Sequence, residues 1–213
     1  MPHGVQVLSE GLLARSDGLA SRLGAEVHIP TKSPEEREGA GQLILEIADY
    51  TMGARVRILG GETMALGVWL VQFRSTGARV LELWEKTRDG EEFQRGASVA
   101  IECWTKQHDV CGALAARFMP PAPTQLVVMT PGAREGEPVE GVRYRAPAHM
   151  SGWWLITERY NGDIRTVALE HLWHLVDWRL DVVPYLALPP GWSFDTNHQM
   201  RAWFDPDVAS QQK

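Results

Sequence analysis

The chain has 213 residues, 44% hydrophobic and 23% charged, with a formal net charge of −6. These are ordinary globular values on enough chain for one sizeable core or two small lobes, which excludes wholesale disorder. The acidic balance argues against nucleic acid, because phosphate attraction needs concentrated Lys and Arg; a basic protein partner suits it better.

Met1-Pro2-His3-Gly4 lacks the basic n-region and apolar core of a signal peptide. No run approaches the roughly 18 apolar residues of a membrane span. The longest apolar stretch, Met64 to Val71, is broken by Gly67. A cytoplasmic chain with no membrane partner is expected. Residues 1–41 are the least regular, and Ser33-Pro34-Glu35-Glu36 reads as an exposed loop or a short helix capped by Ser33. Leu43 to Ala48 is apolar but ambiguous. A strand meander should follow: Arg55 to Leu59, Leu66 to Phe73 as a strand buried on both faces, and Arg79 to Glu85 with one wet face. Arg88-Asp89-Gly90-Glu91 is a turn.

A helix capped by Ser98 should come next. Trp104, Gln107, Cys111, Leu114, Ala115 and Phe118 recur at helical spacing, and Pro120-Pro121-Ala122-Pro123 should end it. This boundary divides the chain into an N-terminal α+β lobe, 1–120, and a C-terminal α+β domain, 124–213. Strands are expected at Gln125 to Met129, Gly141 to Arg145, Gly152 to Glu158 and Trp192 to Phe194. Thr166 to Val176 looks helical, and a second short helix falls near Pro184. Strands and helices mix without a regular βαβ beat. The fold class is therefore α+β, an antiparallel or mixed sheet with a few packed helices and room for two lobes.

No constellation of catalytic residues stands out. His171 and His174, one helical turn apart, supply half a metal site that Asp163, Asp177 or Asp181 would have to complete; two hydrogen-bonded surface histidines are the plainer reading. Ser151 with His149 lacks the flanking glycines of a nucleophile elbow. Cys111 beside His108 lies on the apolar stripe, where burial makes a thiol inert. Cys103 and Cys111, more than two helical turns apart, read as two buried thiols. Gly60-Gly61 and Gly39-Ala40-Gly41 lack the lysine and spacing of a phosphate loop. No cofactor is implied.

Six of the nine tryptophans crowd into the stretch from Met150 to Val208: Trp153, Trp154, Trp173, Trp178, Trp192 and Trp203. Such density marks a tight small core or a recognition surface. Asp195, Asp205 and Asp207 lie beside Trp192, Trp203 and Phe204, a mixture that suits a divalent ion, a basic partner or simply a solvated chain end.

This stretch also resembles a family of immunity proteins from bacterial polymorphic toxin systems. The likeness rests on Ser151-Gly152-Trp153-Trp154, the run from Leu169 to Val176, and Asp181-Val182-Val183-Pro184-Tyr185-Leu186-Ala187-Leu188-Pro189-Pro190-Gly191-Trp192-Ser193-Phe194, over about residues 150–208. The chain departs from that family in its long N-terminal extension and in Asp195-Thr196 after Phe194. The resemblance implies a small α+β domain and a non-catalytic inhibitor that binds a cognate toxin, of the kind delivered by contact-dependent or type VI secretion, and occludes its active site or substrate entry. A basic, nuclease-like toxin fits the acidic charge best. The residues expected at the partner surface are Trp153, Trp154, Glu158, Asp163, Trp192, Asp195, Trp203, Asp205 and Asp207. The competing readings are an adaptor or scaffold of a secretion apparatus and a metal-dependent hydrolase using His171 and His174.

Overall fold

Two mixed sheets, each in its own compact unit, organise the chain: Met1–Thr105 and Lys106–Lys213. The structure, a computed structural model, describes residues 4–197 and 201–211; the Met1-Pro2-His3 start read above for targeting signals lies outside them. The α+β expectation holds in both units.

The N-terminal unit opens with a hairpin, β1 (Gln6–Glu10) and β2 (Leu13–Asp17), then α1 (Ala20–Leu23), β3 (Glu26–Pro30) and the long α2 (Glu36–Ala54). β4 (Thr63–Leu66), β5 (Trp69–Gly77), β6 (Val80–Lys86) and β7 (Phe93–Arg95) follow, and α3 (Ser98–Ala113) crosses the boundary at Thr105. The strand order is β1-β2-β3-β6-β5-β4, with β7 also on β6 and only β3–β6 parallel. Ala40, Leu43, Ile44, Ile47, Ala48 and Thr51 recur every three or four residues and form the buried face of α2, which lies on β1, β2 and β3. Burying each of its Leu and Ile side chains contributes about 1.5–3 kcal/mol.

Three sequence expectations are corrected here. The described part of residues 1–41, from Gly4 on, is regular: β2 turns only Ala14 and Ser16 fully inward, side chains too small to print a hydrophobic alternation. Arg55 to Leu59 is not a strand, because the left-handed Arg55 ends α2 and the outer side of β5 is taken by β4. Leu66 to Phe73 is not one strand buried on both faces: Gly67, at φ +59°, turns β4 into β5, whose Trp69, Val71 and Phe73 are buried while Leu70, Gln72 and Arg74 are half-buried.

The helix read from Ser98 is present as α3, but it stops at Ala113, before the prolines. Ala115 takes the left-handed conformation (φ +49°), and the amide of Ala116 reaches back to the Cys111 carbonyl at 2.8 Å, the pattern of a Schellman cap. At the other end the Val99 and Ala100 amides donate to the buried Glu85 carboxylate at 2.7 and 3.0 Å. Cys103 and Cys111 are both buried thiols.

The C-terminal unit is a six-stranded sheet in the order β11-β8-β10-β9-β12-β13. Its strands are β8 (Leu126–Met129), β9 (Glu140–Arg143), β10 (Met150–Ile156), β11 (Ala168–His171), β12 (Trp192–Asp195) and β13 (Arg201–Phe204). Only the β8–β10 pair is parallel. The run from Thr166 to Val176 is not one helix. It divides into the end of a 3-10 turn, β11, the 3-10 turn Leu172–His174 and the short α4 (Leu175–Trp178), because Ala168–His171 pairs along β8. The short helix near Pro184 is the 3-10 turn Val183–Tyr185, and α5 (Pro206–Ser210) ends the described chain. No described helix is long and apolar enough to cross a membrane.

Candidate functional site

The Ser151-Gly152-Trp153-Trp154 motif is a β-bulge. The pairing of β10 with β8 shifts register between Met150 and Trp154. Gly152 sits at φ +82°, and a Cβ there would meet the Tyr144 carbonyl oxygen at 2.2 Å. The Ser151 hydroxyl donates to the Leu126 carbonyl at 2.8 Å and accepts from the Trp153 amide at 3.2 Å, so it secures the bulge. Strand alternation beyond the bulge sends the two tryptophans to opposite faces of the sheet. Trp153 is fully buried, and its indole N–H donates to the Leu186 carbonyl at 3.0 Å; Trp154 is half-buried on the other face.

The register resolves the two faces. On the inner face Met129, Leu155, Gly141 and Phe194 lie side by side. Phe194 stacks on Tyr185 at 4.6 Å and tilts against Trp153 at 5.3 Å. A Cβ on Gly141 would fall 2.1 Å from the Phe194 ring, so glycine is what admits this packing. Beside them Arg143 is buried without a carboxylate. Its guanidinium donates to the Ser151 carbonyl at 3.1 Å, to Met119 at 2.6 Å, and to Leu188. Burial pulls its pKa down to about 10, which leaves it charged at neutral pH.

On the outer face a row of side chains crosses all six strands: Leu169, Val128, Trp154, Val142, Ser193 and Trp203. Leu169 and Trp203 are exposed, at 54% and 38%. The next row is Ile156, Glu140, Asp195 and Arg201, so two carboxylates stand directly opposite each other across β9 and β12. These rows open into a cleft of about 360 Å³ lined by Glu140, Ile156, Glu158, Asp195 and Trp203, among others. Burial, and then the charge of Asp195, raise the pKa of Glu140.

The fold therefore gathers four of the nine residues expected at a partner surface: Trp154, Asp195 and Trp203 on the outer rows, and Glu158 at the cleft. Five lie elsewhere. Trp153 belongs to the core, and Trp192, half-buried on the inner side, lies edge-to-face with Phe204 at 6.0 Å. Asp163 caps a 3-10 turn and is clamped by Arg165 at 2.7 Å. Asp205 caps α5, accepting from the Asp207 amide at 2.8 Å, and Asp207 lies in that helix's first turn. Glu140 was not anticipated, because its place opposite Asp195 depends on register between strands more than fifty residues apart.

His171 and His174 do not share a helix face. His171 ends β11, the ring centroids are 6.0 Å apart, and His174 lies against Trp173 and Trp178 with Glu170 3.5 Å from its Nδ1. Burial lowers the His174 pKa, and Glu170 opposes that shift. Asp163 is held by Arg165, and Asp181 receives both arms of Arg179, at 2.9 and 2.7 Å. Among the described residues no group of three or more His, Cys, Asp and Glu side chains could hold a metal ion. Cys111 is buried and its pKa is raised by desolvation, while His108 stacks on Phe118 at 3.8 Å.

Comparison with known proteins returns no matching curated protein and no matching solved structure. A family model does match, that of the Imm33-like domain, over residues 106–205. This span contains the bulge, both faces of the sheet and the cleft, so the C-terminal unit of the chain is what matches the Imm33-like domain, the domain of an immunity-protein family.

Proposed function

We propose that the protein is an immunity protein that binds a cognate bacterial toxin and neutralises it by covering the toxin's active site or substrate entry. The Imm33-like match over residues 106–205 carries this reading. The outer face adds physical support: half-exposed aromatics beside carboxylates are the composition of a binding surface, with the apolar anchor at the centre and charge at the rim. Trp154, Glu158, Asp195 and Trp203 are the partner-facing residues in this proposal. A polymorphic toxin delivered by contact-dependent or type VI secretion, acting in the cytoplasm and basic because its own substrate is a nucleic acid, is the partner that the −6 charge fits best.

The test is to purify the tagged full chain from its native host at high salt and identify what accompanies it. A single stoichiometric partner, encoded alongside and toxic when expressed alone, is expected, and co-expression should restore growth. Several weakly held partners and no rescue would instead favour an adaptor of a secretion apparatus. Turnover abolished by His171→Ala would move the weight to the hydrolase reading.

A further inference from the structure

Resting on the immunity reading, we propose that the partner docks on the outer face between Trp154 and Trp203, and that the cleft at the end of these rows receives an arginine side chain of the partner. Three observations lead there.

The first is charge. Glu140 and Asp195 are directly opposed across antiparallel strands, a placement that destabilises a sheet when both are ionised. Glu158 adds a third carboxylate to the same cleft. Arg201, opposite Asp195 on its other side, is exposed and does not line the cleft. Among the other nominated carboxylates Asp163 is clamped by Arg165 and Asp205 caps a helix, while Asp195 accepts from the Asn197 amide at 2.6 Å through its Oδ1 and meets no cation within the cleft lining. The cleft is where an incoming cation gains most.

The second is shape. The cleft, about 360 Å³, is open at the surface and accommodates a single long side chain. Its aromatic wall is Trp203, 38% exposed. A guanidinium is planar, stacks on an indole face and donates two parallel hydrogen bonds, so it can answer paired carboxylates and the ring together. A lysine ammonium is a strongly hydrated point charge and answers only the first.

The third is continuity. Trp154 and Trp203 stand beside the acidic row, with Val142 and Ser193 buried between them, so a partner seated over the two rings brings its rim onto Glu140, Glu158 and Asp195.

The probe is the capped tripeptide acetyl-Gly-Arg-Gly-amide, titrated into the full chain while the tryptophan indole N–H signals are followed by NMR. The Trp203 signal is assigned by its loss in Trp203→Phe. A saturable shift is expected, with a dissociation constant on the order of millimolar for one side chain. Glu140→Gln combined with Asp195→Asn should weaken it at least fivefold. The citrulline tripeptide should give no saturable shift, and the lysine tripeptide a clearly weaker one. No saturable shift with arginine, equal shifts with the lysine or citrulline probes, or binding unchanged in the double variant overturns the proposal. Melting separates a ligand role from a structural one: Glu140→Gln alone should melt no earlier than the parent, and earlier melting would assign that carboxylate to the fold. The toxin arm then keeps the two readings apart. A toxin neutralised equally well by the double variant would refute the cleft while leaving the immunity reading intact; a probe-binding cleft with no toxin partner would do the reverse.

Discussion

Arg143 offers the sharpest test of how the C-terminal unit is held together. Its guanidinium donates to carbonyls from three separate segments: Met119 after α3, Ser151 in the β10 bulge, and Leu188 after the Val183–Tyr185 turn. No carboxylate repays its burial. In Arg143→Met the bonds to Met119, Ser151 and Leu188 are lost, each contributing about 1.5–3 kcal/mol, together with a long one to the Leu186 carbonyl at 3.5 Å. Opposing this, the desolvation penalty of a buried charge, several kcal/mol, is lifted. The acceptors stay behind, however, and those of Ser151 and Leu188 remain buried without their donor. The net cost should be about 2–4 kcal/mol. Arg143→Lys should not rescue it, since one ammonium cannot span carbonyls on three segments. The chain has two units, so a single unfolding midpoint would blend them. Hydrogen exchange of the β9 and β10 amides in increasing urea reads the C-terminal unit alone. A loss below about 1 kcal/mol in Arg143→Met would refute the reasoning, because the three carbonyls would then have been satisfied without the arginine.

The remaining predictions concern backbone and pH. Gly152→Ala forces a Cβ against the Tyr144 carbonyl at positive φ and should cost about 2–3 kcal/mol, with Trp153 fluorescence shifted as its packing loosens. Ala115→Gly relieves a left-handed alanine at the end of α3 and should stabilise by about 1 kcal/mol, read as a raised melting temperature. Glu26 titrates below the usual carboxylate value: desolvation pushes it up, but donations from the Ser16 hydroxyl and the Ala20, Leu19 and Gly18 amides outweigh that. Its stabilisation is therefore complete above the ordinary Glu pKa and is lost as pH falls through the lower folded value. Glu26→Gln should flatten the acid limb of stability against pH below about 4.5, and an unchanged limb would exclude Glu26 from it.

Much of this architecture was legible in the sequence, for identifiable reasons. Leu126–Met129 and Trp192–Asp195 are short apolar or aromatic runs bounded by turn residues, and both are strands. The first half of the α3 stripe, Trp104, Gln107 and Cys111, is buried as its spacing foretold, whereas beyond the helix end Leu114 and Phe118 are half-buried and Ala115 is exposed. Its end was misplaced because the stop comes from a backbone conformation at Ala115, a residue with no turn signature, rather than from the prolines beyond. β11 was hidden for another reason. Ala168-Leu169-Glu170-His171 has strong helix formers and becomes a strand only because β8 offers a free edge. The candidate site divides the same way. Residue type alone nominates Trp154, Glu158, Asp195 and Trp203, which the fold brings to one side, but also the buried Trp153 and the half-buried Trp192 of the inner side, because composition does not say which face of a strand a residue takes.

Alternation along β9 explains how one short strand serves both faces. Arg143 and Gly141 point into the core, where the first gathers three loops and the second makes room for Phe194. Val142 and Glu140 point outward, onto the aromatic and acidic rows. Fixing the inner pair fixes the spacing of Glu140 from Asp195, since both strands are anchored by the Gly141–Phe194 contact directly beneath. A partner's arginine would then meet carboxylates already held in place, with little ordering entropy left to lose on binding. It follows that Gly141→Ala, which pushes Phe194 and β12 away, should weaken arginine-probe binding even though residue 141 faces away from the cleft. Conservative changes at the exposed Leu169, on β11 with four strands between it and β13, should leave that binding unaltered.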